Sequence, residues 1–276
     1  MDILIGADPE LFVVKGRKLV SAHDLIPGTK AKPFAVEGGA IQVDGTAAEF
    51  NIDPAATKED FTGRVTLVKK QLDARLKEID PRYSLVSKPT RTYCKTTWDS
   101  IPESAKELGC DPDYNAYTGA ENPRPDPAVE GFRSGGGHVH IGWGTGMDIG
   151  DPAHLMDCRM VVKVLDQTLF LMSSYWDKDN KRREIYGKPG AFRPKHYGVE
   201  YRVLSNAWTK SPELCDLVFD ITKFSVGLLE SGENHLIKRL EGLRYFEDFY
   251  IGRYLGGLSP KHFYTLRDRA KRHAMG

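Results

Sequence analysis

The sequence has few cysteines, and their spacing does not suit a disulfide framework. Only four of the 276 residues are cysteine, and no two of them form a CxxC pair. Asn-X-Ser/Thr glycosylation sequons are also absent. A disulfide-stapled secreted scaffold is thereby excluded. This composition is typical of a reducing compartment, and we predict a cytoplasmic protein.

Long apolar stretches and excess charge are missing as well. No run of about 18 apolar residues occurs, so the sequence predicts no membrane-spanning helix, and the opening "MDILIGADPELFVV" lacks the basic segment of a signal peptide. The 39 Lys and Arg residues nearly balance the 38 Asp and Glu residues, for a formal net charge of +1. A nearly neutral protein has no general attraction for nucleic acid or anionic lipid. We therefore expect neither as a partner, and function must depend on local charged clusters.

The order of predicted elements favours an α+β fold. Strand patterns fill residues 1–52, with a hairpin turn expected at Asp44–Gly45. A helix is predicted from Thr57 to Pro81, and a second long helix after Asp151–Pro152. Strands followed by helices predict an antiparallel sheet instead of an alternating βαβ series.

We predict that residues 1–276 form a single domain, because no Ser/Gly-rich linker interrupts the chain. Residues 82–133 are rich in Pro, Asn and Asp and read as a loop-rich insertion that faces the substrate. The C-terminal part, residues 211–276, is predicted to be helical, with helices roughly over 212–230, 233–248 and 260–272. The sequence leaves a homo-oligomer open.

Two histidines stand one residue apart behind three glycines in "RSGGGHVHIGWG". On an extended segment, His138 and His140 share one face while Val139 and Ile141 point the other way. The glycines allow a ligand or another backbone to come close. Taken alone, the pair leaves a metal site, a phosphate site and a purely structural pair open.

Acidic residues recur on the strands predicted around this histidine pair. Any one acidic pair is also consistent with a solvated sheet face. If the strands share a sheet, however, that many carboxylates cannot converge without cations, because each charge raises the pKa of the next. Oxygen ligands in excess, with no thiolate among them, favour Mg²⁺ or Mn²⁺ over Zn²⁺, and more than one ion. The predicted metal ligands are Asp8, Glu10, Asp44, Glu49, His138 and Glu200.

Arginines precede and follow the last acidic strand. Arg182, Arg183 and Arg193 lie in "DKDNKRREIYGKPGAFRPKHYG", which we predict to be a flexible connection, and Arg202 shares a strand face with Glu200. Guanidinium groups suit bidentate contacts with phosphate, so the set indicates a nucleotide such as ATP. No GxxxxGK[ST] or GxGxxG motif occurs, which excludes a P-loop or Rossmann turn. One of Arg182 and Arg183 is expected to be an ordinary loop residue.

Five short motifs, in this order, resemble a known superfamily: "GADPE", "AEFN", "GGGHVHIG", "R…YGKPGAFR" and "VEYR". Together they are similar to the ATP-dependent carboxylate–amine ligases of the glutamine synthetase-like superfamily. The nearest branches are the phage-type amidoligases and the type 2 glutamate–cysteine ligases. The resemblance extends from Gly6 to Asn206 and implies a curved antiparallel catalytic sheet covered by helices.

The resemblance also implies roles for individual residues. Asp8, Glu10, Glu49 and Glu200 match metal-binding acids, His138 a metal-binding histidine, His140 a phosphate contact, and Arg202, with Arg193 or Arg182, the arginines that hold ATP. Two departures put details in doubt. Asp8 stands where the family usually has Glu, and Pro9 lies inside the strand, so a bulge or a shorter reach would alter one metal site. Asp44 has no counterpart, and its metal role is inferred from chemistry alone.

These observations predict an ATP-dependent ligase that joins a carboxylate to an amine, either small molecules or peptides, through an acyl phosphate. The predicted catalytic residues are Arg182, Arg193 and Arg202, and the predicted ATP contacts are His140, Arg193 and Arg202. One alternative is a hydrolase or cupin-like enzyme in which the histidine pair and a glutamate bind one transition metal without ATP. Another is a nucleotide-binding protein without catalysis.

Overall fold

A computed structural model describes residues 2–106, 113–123 and 130–230, together with Thr265, Asp268, Arg269 and Arg272. The strands are β1 Leu4–Lys15, β2 Lys18–Val20, β3 Phe34–Val36, β4 Gly39–Asp44, β5 Ala47–Ile52, β6 Tyr83–Val86, β7 Thr90–Thr92, β8 Tyr114–Asn115, β9 Phe132–Ser134, β10 Gly137–Gly142, β11 Ala191–Lys195 and β12 Gly198–Tyr201. The α-helices are α1 Lys58–Ile79, α2 Lys95–Asp99, α3 Glu103–Lys106, α4 Pro152–Leu165, α5 Leu171–Ser173, α6 Asn180–Ile185 and α7 Pro212–Glu230.

A large antiparallel sheet forms the centre of this structure. Its strand order is β3-β4-β5-β1-β10-β12-β11-β8, and β2 and β6 also pair with β1. The long strand β1 is therefore the hub, because β5 and β10 flank it on either side. Strands β7 and β9 form a separate two-stranded sheet. The mixed α+β class with an antiparallel sheet is thus confirmed.

One face of the sheet is apolar and covered by helices. Ile5, Phe50, Val139 and Val199 lie on this face and are fully buried. Helix α1 contacts β4 and β5, α4 contacts β11 and β12, and α7 packs on both helices. Helix α1 begins as predicted, since the Asp60 N–H donates to the Thr57 hydroxyl at the N-cap. With one face closed by helices, charged side chains of the same strands must point to the other face.

One prediction about local structure is wrong. The segment predicted as a flexible connection contains helix α6 and strand β11, which pairs with β12 from Phe192 to Lys195. The long helix predicted after Asp151–Pro152 is present as a helical run from Pro152 to Ser173, in which a π-helical turn over Asp166–Phe170 lies between α4 and α5. The place of β11 depends on its pairing with β12, which no local pattern encodes.

The predicted insertion and the helical C-terminus are described in part. Within 82–133 the described residues form β6, β7, β8, α2, α3 and the start of β9, and β6 and β8 join the central sheet. Helix α7 matches the predicted 212–230, whereas the helices predicted over 233–248 and 260–272 fall almost entirely outside the described residues. Among the described helices, none combines the length and the apolar character needed to cross a membrane.

Candidate active site

The register of the sheet places the predicted site residues on one face. Residues directly opposite each other on antiparallel strands project to the same side. Five such pairs link six strands across the face that is turned away from α1, α4 and α7: Gln42 with Glu49, Glu49 with Glu10, Asp8 with His138, His140 with Glu200, and Glu200 with Arg193. Strand β1 keeps its pairing with β10 through Pro9, so the proline does not shift Asp8 relative to the histidines.

At the middle of this face, Asp8, His138 and His140 form what we call the central group. Asp8 lies between the two rings, with Oδ1 3.3 Å from His138 Nδ1 and Oδ2 3.2 Å from His140 Nε2. His138 Nδ1 is also 3.5 Å from Glu200 Oε1. Both histidines therefore share a carboxylate, as the alternation of "HVH" predicts.

The central group fits a divalent cation. One donor atom from each of Asp8, His140 and Glu200 can be chosen so that all lie within 4.8 Å of one another. His138 Nε2 is buried and has no hydrogen-bond partner among the described residues. Burying such an atom without a partner costs free energy, which a bound cation would recover. The donors are oxygen and imidazole nitrogen, which suit Mg²⁺ or Mn²⁺.

Protonation in the central group depends on charge pairing. Burial alone would raise the pKa of Asp8, but the two neighbouring histidines hold it well below its usual value. Burial likewise acts to lower the pKa of His140, yet the charge of Asp8 and its hydrogen bond raise it above the usual value. Without a metal, these groups thus stabilise each other as an ion pair.

The glycine run brings backbone against the site. The Gly136 N–H donates to Glu10 Oε2 at 2.8 Å. A Cβ atom at Gly136 would lie 2.5 Å from His138 Nε2, and one at Gly137 would lie 2.4 Å from the Ser205 carbonyl oxygen. Any side chain at these two positions would displace the histidine ring or the backbone behind it, which explains why the motif needs glycine.

On one side of the central group lies the acidic half, which consists of Glu10, Gln42, Asp44 and Glu49. Burial, followed by the charges of Asp8, Asp44 and Glu10, raises the pKa of Glu49 well above its usual value. Burial also raises the pKa of Glu10. Lys30 approaches Asp44 only at 3.8 Å, and it is half-exposed. The acidic half therefore carries more negative charge than its described neighbours neutralise.

On the other side lies the basic half, in which three cations surround Glu200. This carboxylate is buried, and it contacts Lys195 Nζ at 2.8 Å, Arg193 at 3.3 Å and the guanidinium of Arg202. Arg202 also reaches Asp113 at 3.4 Å, a residue of the predicted insertion. The excess of cations over carboxylates makes this half suited to an anion such as phosphate.

Arg182 lies on helix α6 and is buried next to the basic half. It is 1% exposed, and its guanidinium donates to the carbonyl oxygens of Val203 at 2.6 Å and Arg202 at 3.5 Å. Burial lowers its pKa to about 10. The Tyr186 ring centroid lies 5.5 Å from the Arg182 guanidinium carbon and 5.4 Å from that of Arg202. The phosphate contact of Arg182 stays a prediction. Arg183 lies on the same helix α6, and its guanidinium donates to the Asp177 carbonyl oxygen at 3.2 Å.

Sequence reasoning missed several residues of this face. Lys195 could have been found, because the alternation in "FRPK" places it on the same side of β11 as Arg193. Gln42 could have been found in the same way from Asp44. Asp113 and Tyr197 carried no local signal, since they reach the site from separate segments.

The comparisons with known proteins fit this geometry. The family described as Phage phiEco32-like COOH.NH2 ligase-type 2 has a sequence model that matches residues 126–252. The matched part contains β10, β11 and β12, while β1 and β5 lie outside it. A search among curated proteins gave no match. The family match supports the predicted assignment to the phage-type amidoligases, and with it an enzyme that forms a C–N bond between a carboxylate and an amine.

Proposed function

We propose that this phage-type amidoligase uses ATP and Mg²⁺ or Mn²⁺ to join a carboxylate to an amine through an acyl phosphate. The same proposal includes a glutamine synthetase-like fold for the sheet and its covering helices. The substrates would be small molecules or peptides, selected in part by residues 82–133. Asp113 supports this role of residues 82–133, because it belongs to that segment and its carboxylate contacts Arg202 of the basic half.

The observation that carries the proposal is the opposite charge of the two halves of one sheet face. The acidic half and the central group require cations, whereas the basic half offers Arg193, Lys195 and Arg202 around one carboxylate. A metal–triphosphate complex carries both kinds of charge and would satisfy both halves at once. A simple hydrolase has no use for three cations beside its metal site.

Residues of the chain would hold the metal in two groups. Asp8, His138, His140 and Glu200 offer donor atoms in and beside the central group, and Glu10, Glu49 and Asp44 offer carboxylates in the acidic half. A bound divalent cation would neutralise and polarise phosphate oxygens. We retain the predicted division in which His138 contacts metal and His140 contacts phosphate.

Arg193, Lys195 and Arg202 would bind the phosphates and neutralise charge on the transferred group. In the first step, a carboxylate oxygen of the substrate forms a bond to the γ-phosphorus, and the bond from that phosphorus to the β-γ bridging oxygen breaks, which releases ADP. In the second step, the amine nitrogen bonds to the acyl carbon, and the bond to the phosphate oxygen breaks. The amine proton leaves with inorganic phosphate. Fixed cations suit both steps, since they need no reorganisation as charge moves.

The test is trapping of the activated carboxylate with hydroxylamine. The protein is incubated with MgATP, hydroxylamine and a panel of carboxylates, and both hydroxamate and ADP are measured. We expect one ADP for each hydroxamate, with no need for the natural amine. Hydroxamate formed without ATP would favour the alternative HxH hydrolase or a related acyl transferase. Release of AMP and pyrophosphate would mean an acyl adenylate and would overturn the assignment of the arginines.

A further inference from the structure

The C-terminal end of helix α6 is tied to the segment that follows β12. The guanidinium of Arg182 donates to the carbonyl oxygens of Val203 at 2.6 Å and Arg202 at 3.5 Å. Just after the helix, Gly187 has a φ of +70°, and a Cβ atom there would lie 2.1 Å from a terminal nitrogen of Arg182. Only glycine suits both that conformation and that close approach. The backbone around residue 186 is therefore fixed relative to the segment after β12.

Tyr186 directly follows helix α6, and its ring lies where the central group meets the basic half. Its N–H donates to the Arg182 carbonyl oxygen at 2.7 Å. Its ring centroid is 5.4 Å from the Arg202 guanidinium carbon and 6.3 Å from the centroid of the His138 ring. The Tyr186 ring is half-buried, whereas Arg202 and His138 are almost fully buried. A guanidinium at this distance is attracted by the face of the ring, and more strongly where water is excluded.

The ring contact differs in kind from the other contacts of Arg202. Glu200 and Asp113 contact nitrogen atoms of the guanidinium, Asp113 at 3.4 Å. A phosphate would need the same N–H groups, because arginine binds phosphate through these donors. It would therefore compete with both carboxylates, whereas the Tyr186 ring attracts the guanidinium without using an N–H group. The ring can thus hold the guanidinium in place while its donors exchange one partner for another.

We propose that Tyr186 is a positioning residue whose ring holds the Arg202 guanidinium in place for contact with the phosphate groups of the nucleotide. Arg182 contributes indirectly, because it fixes the turn from which the ring projects. This inference deepens the proposed function and rests on it, since it concerns the anion expected at the basic half. It requires an aromatic ring at position 186, because an aliphatic side chain of similar bulk has no electron-rich face.

Binding of inorganic triphosphate in the presence of Mg²⁺ tests the inference without any substrate. The affinity is measured by calorimetry for the wild type, for Tyr186→Phe, which keeps the ring, and for Tyr186→Leu, which keeps only apolar bulk. We expect triphosphate to bind about 10- to 30-fold more weakly in Tyr186→Leu and with wild-type affinity in Tyr186→Phe. Tyr83→Leu is the matched control, because Lys15 Nζ lies 5.1 Å from the centroid of the Tyr83 ring at the far end of β1. Its affinity should equal that of the wild type.

Arginine NMR of the protein without added ligand separates positioning from a general loss of structure. The Nε–H signal of Arg202 is assigned by its absence from Arg202→Lys, and its order parameter is measured from nitrogen-15 relaxation. We expect the same order parameter in the wild type and Tyr186→Phe, and a lower one in Tyr186→Leu. The backbone amide signals of α1 and α7 should stay unchanged in both variants, because these helices lie on the other side of the sheet.

Three results would each overturn the inference. They are wild-type triphosphate affinity in Tyr186→Leu, equal weakening in Tyr186→Phe or Tyr83→Leu, and equal order parameters of Arg202 in the wild type and Tyr186→Leu. If the wild type does not bind triphosphate, the proposed function fails instead. The order parameters, which need no ligand, then decide alone whether the Tyr186 ring holds Arg202.

Discussion

The acidic half and the basic half lie on one sheet face, on either side of strand β10, yet they carry opposite charge. In the acidic half, Glu49 is buried among other carboxylates, and its pKa is raised by burial and by their charges. In the basic half, Glu200 is just as buried but has three cationic partners. A buried glutamate is therefore destabilised by like charges in the acidic half and stabilised by cations in the basic half. The comparison indicates that this sheet face suits a ligand with cationic and anionic parts, because neither half is electrically neutral by itself.

The largest effect is expected from removing the charge that holds the basic half together. Glu200→Gln should lower turnover about 10³-fold or more, because both the metal group and the arginine positions depend on this carboxylate. It should also lower the free energy of unfolding, by up to about 3–5 kcal/mol, since the buried Arg202 guanidinium would lose one of its carboxylate partners. Steady-state kinetics and denaturant unfolding measure the two effects, and Glu59→Gln, at an exposed position of helix α1, serves as control. Near wild-type turnover would remove Glu200 from the site.

Arg202→Lys tests whether shape, and not charge alone, matters in the basic half. The guanidinium contacts Glu200 and Asp113 and packs over Tyr186, so a lysine cannot replace all of these contacts. We expect turnover to fall about 10²–10³-fold with little change in thermal midpoint. Arg82→Lys, at the exposed pair with Asp80, is the matched control and should behave as the wild type. If both variants keep full activity, Arg202 is only an ion-pair partner.

Glu49→Gln should have the opposite effect on stability from Glu200→Gln. Removal of one charge from the acidic half relieves repulsion with Asp8, Asp44 and Glu10, so the metal-free protein should melt at a higher temperature. Turnover should nevertheless fall about 10²-fold, because a cation ligand is lost. Calorimetry in the presence of a chelator measures the melting temperature, and kinetics in excess Mg²⁺ measure the turnover. A lower melting temperature would contradict the account of an under-neutralised acidic half.

The smallest effect on activity is expected on the helix side of the sheet, at Asp166. This buried carboxylate accepts from the Tyr201 hydroxyl at 2.7 Å, and burial raises its pKa from 3.8 to about 7. A raised pKa means that its full stabilisation is present below pH 4 and is lost as the pH rises through 7. The loss amounts to about 4 kcal/mol.

In Asp166→Asn, that pH dependence should disappear. The free energy of unfolding, measured between pH 4 and pH 7, should therefore fall less steeply with pH than in the wild type. Asp99→Asn, which changes an exposed carboxylate on α2, should leave the slope unchanged. Equal slopes in the wild type and Asp166→Asn would show that the pKa of Asp166 is not raised in the folded protein.

Much of the site was predictable because strand alternation is a local property. The patterns around Asp8, Glu10, His138 and His140 each place two side chains on one face, and the structure brings these faces together. The start of α1 was predictable for the same reason, since the cap and its partner are only three residues apart. Local spacing thus predicted which residues face the site.

Contacts between distant segments could not be predicted in this way. Tyr197 reaches His140 only because β10 and β12 pair in one particular register, and Asp113 reaches Arg202 from another segment. Arg182 resembles Arg193 in sequence, yet it is buried against the backbone after β12. Its position depends on helix α6, Asn180–Ile185, and the polar composition of these residues gave no sign of a helix.

The most direct test of the account follows the oxygen of the carboxylate. Once a carboxylate substrate is found by hydroxamate trapping, it is labelled with oxygen-18 and turned over with MgATP and the amine. Phosphate is then examined by phosphorus NMR, in which each heavy oxygen shifts the signal. An acyl phosphate predicts one oxygen-18 atom in each inorganic phosphate released, because the carboxylate oxygen leaves on phosphorus. Unlabelled phosphate, or label found in AMP, would contradict the account.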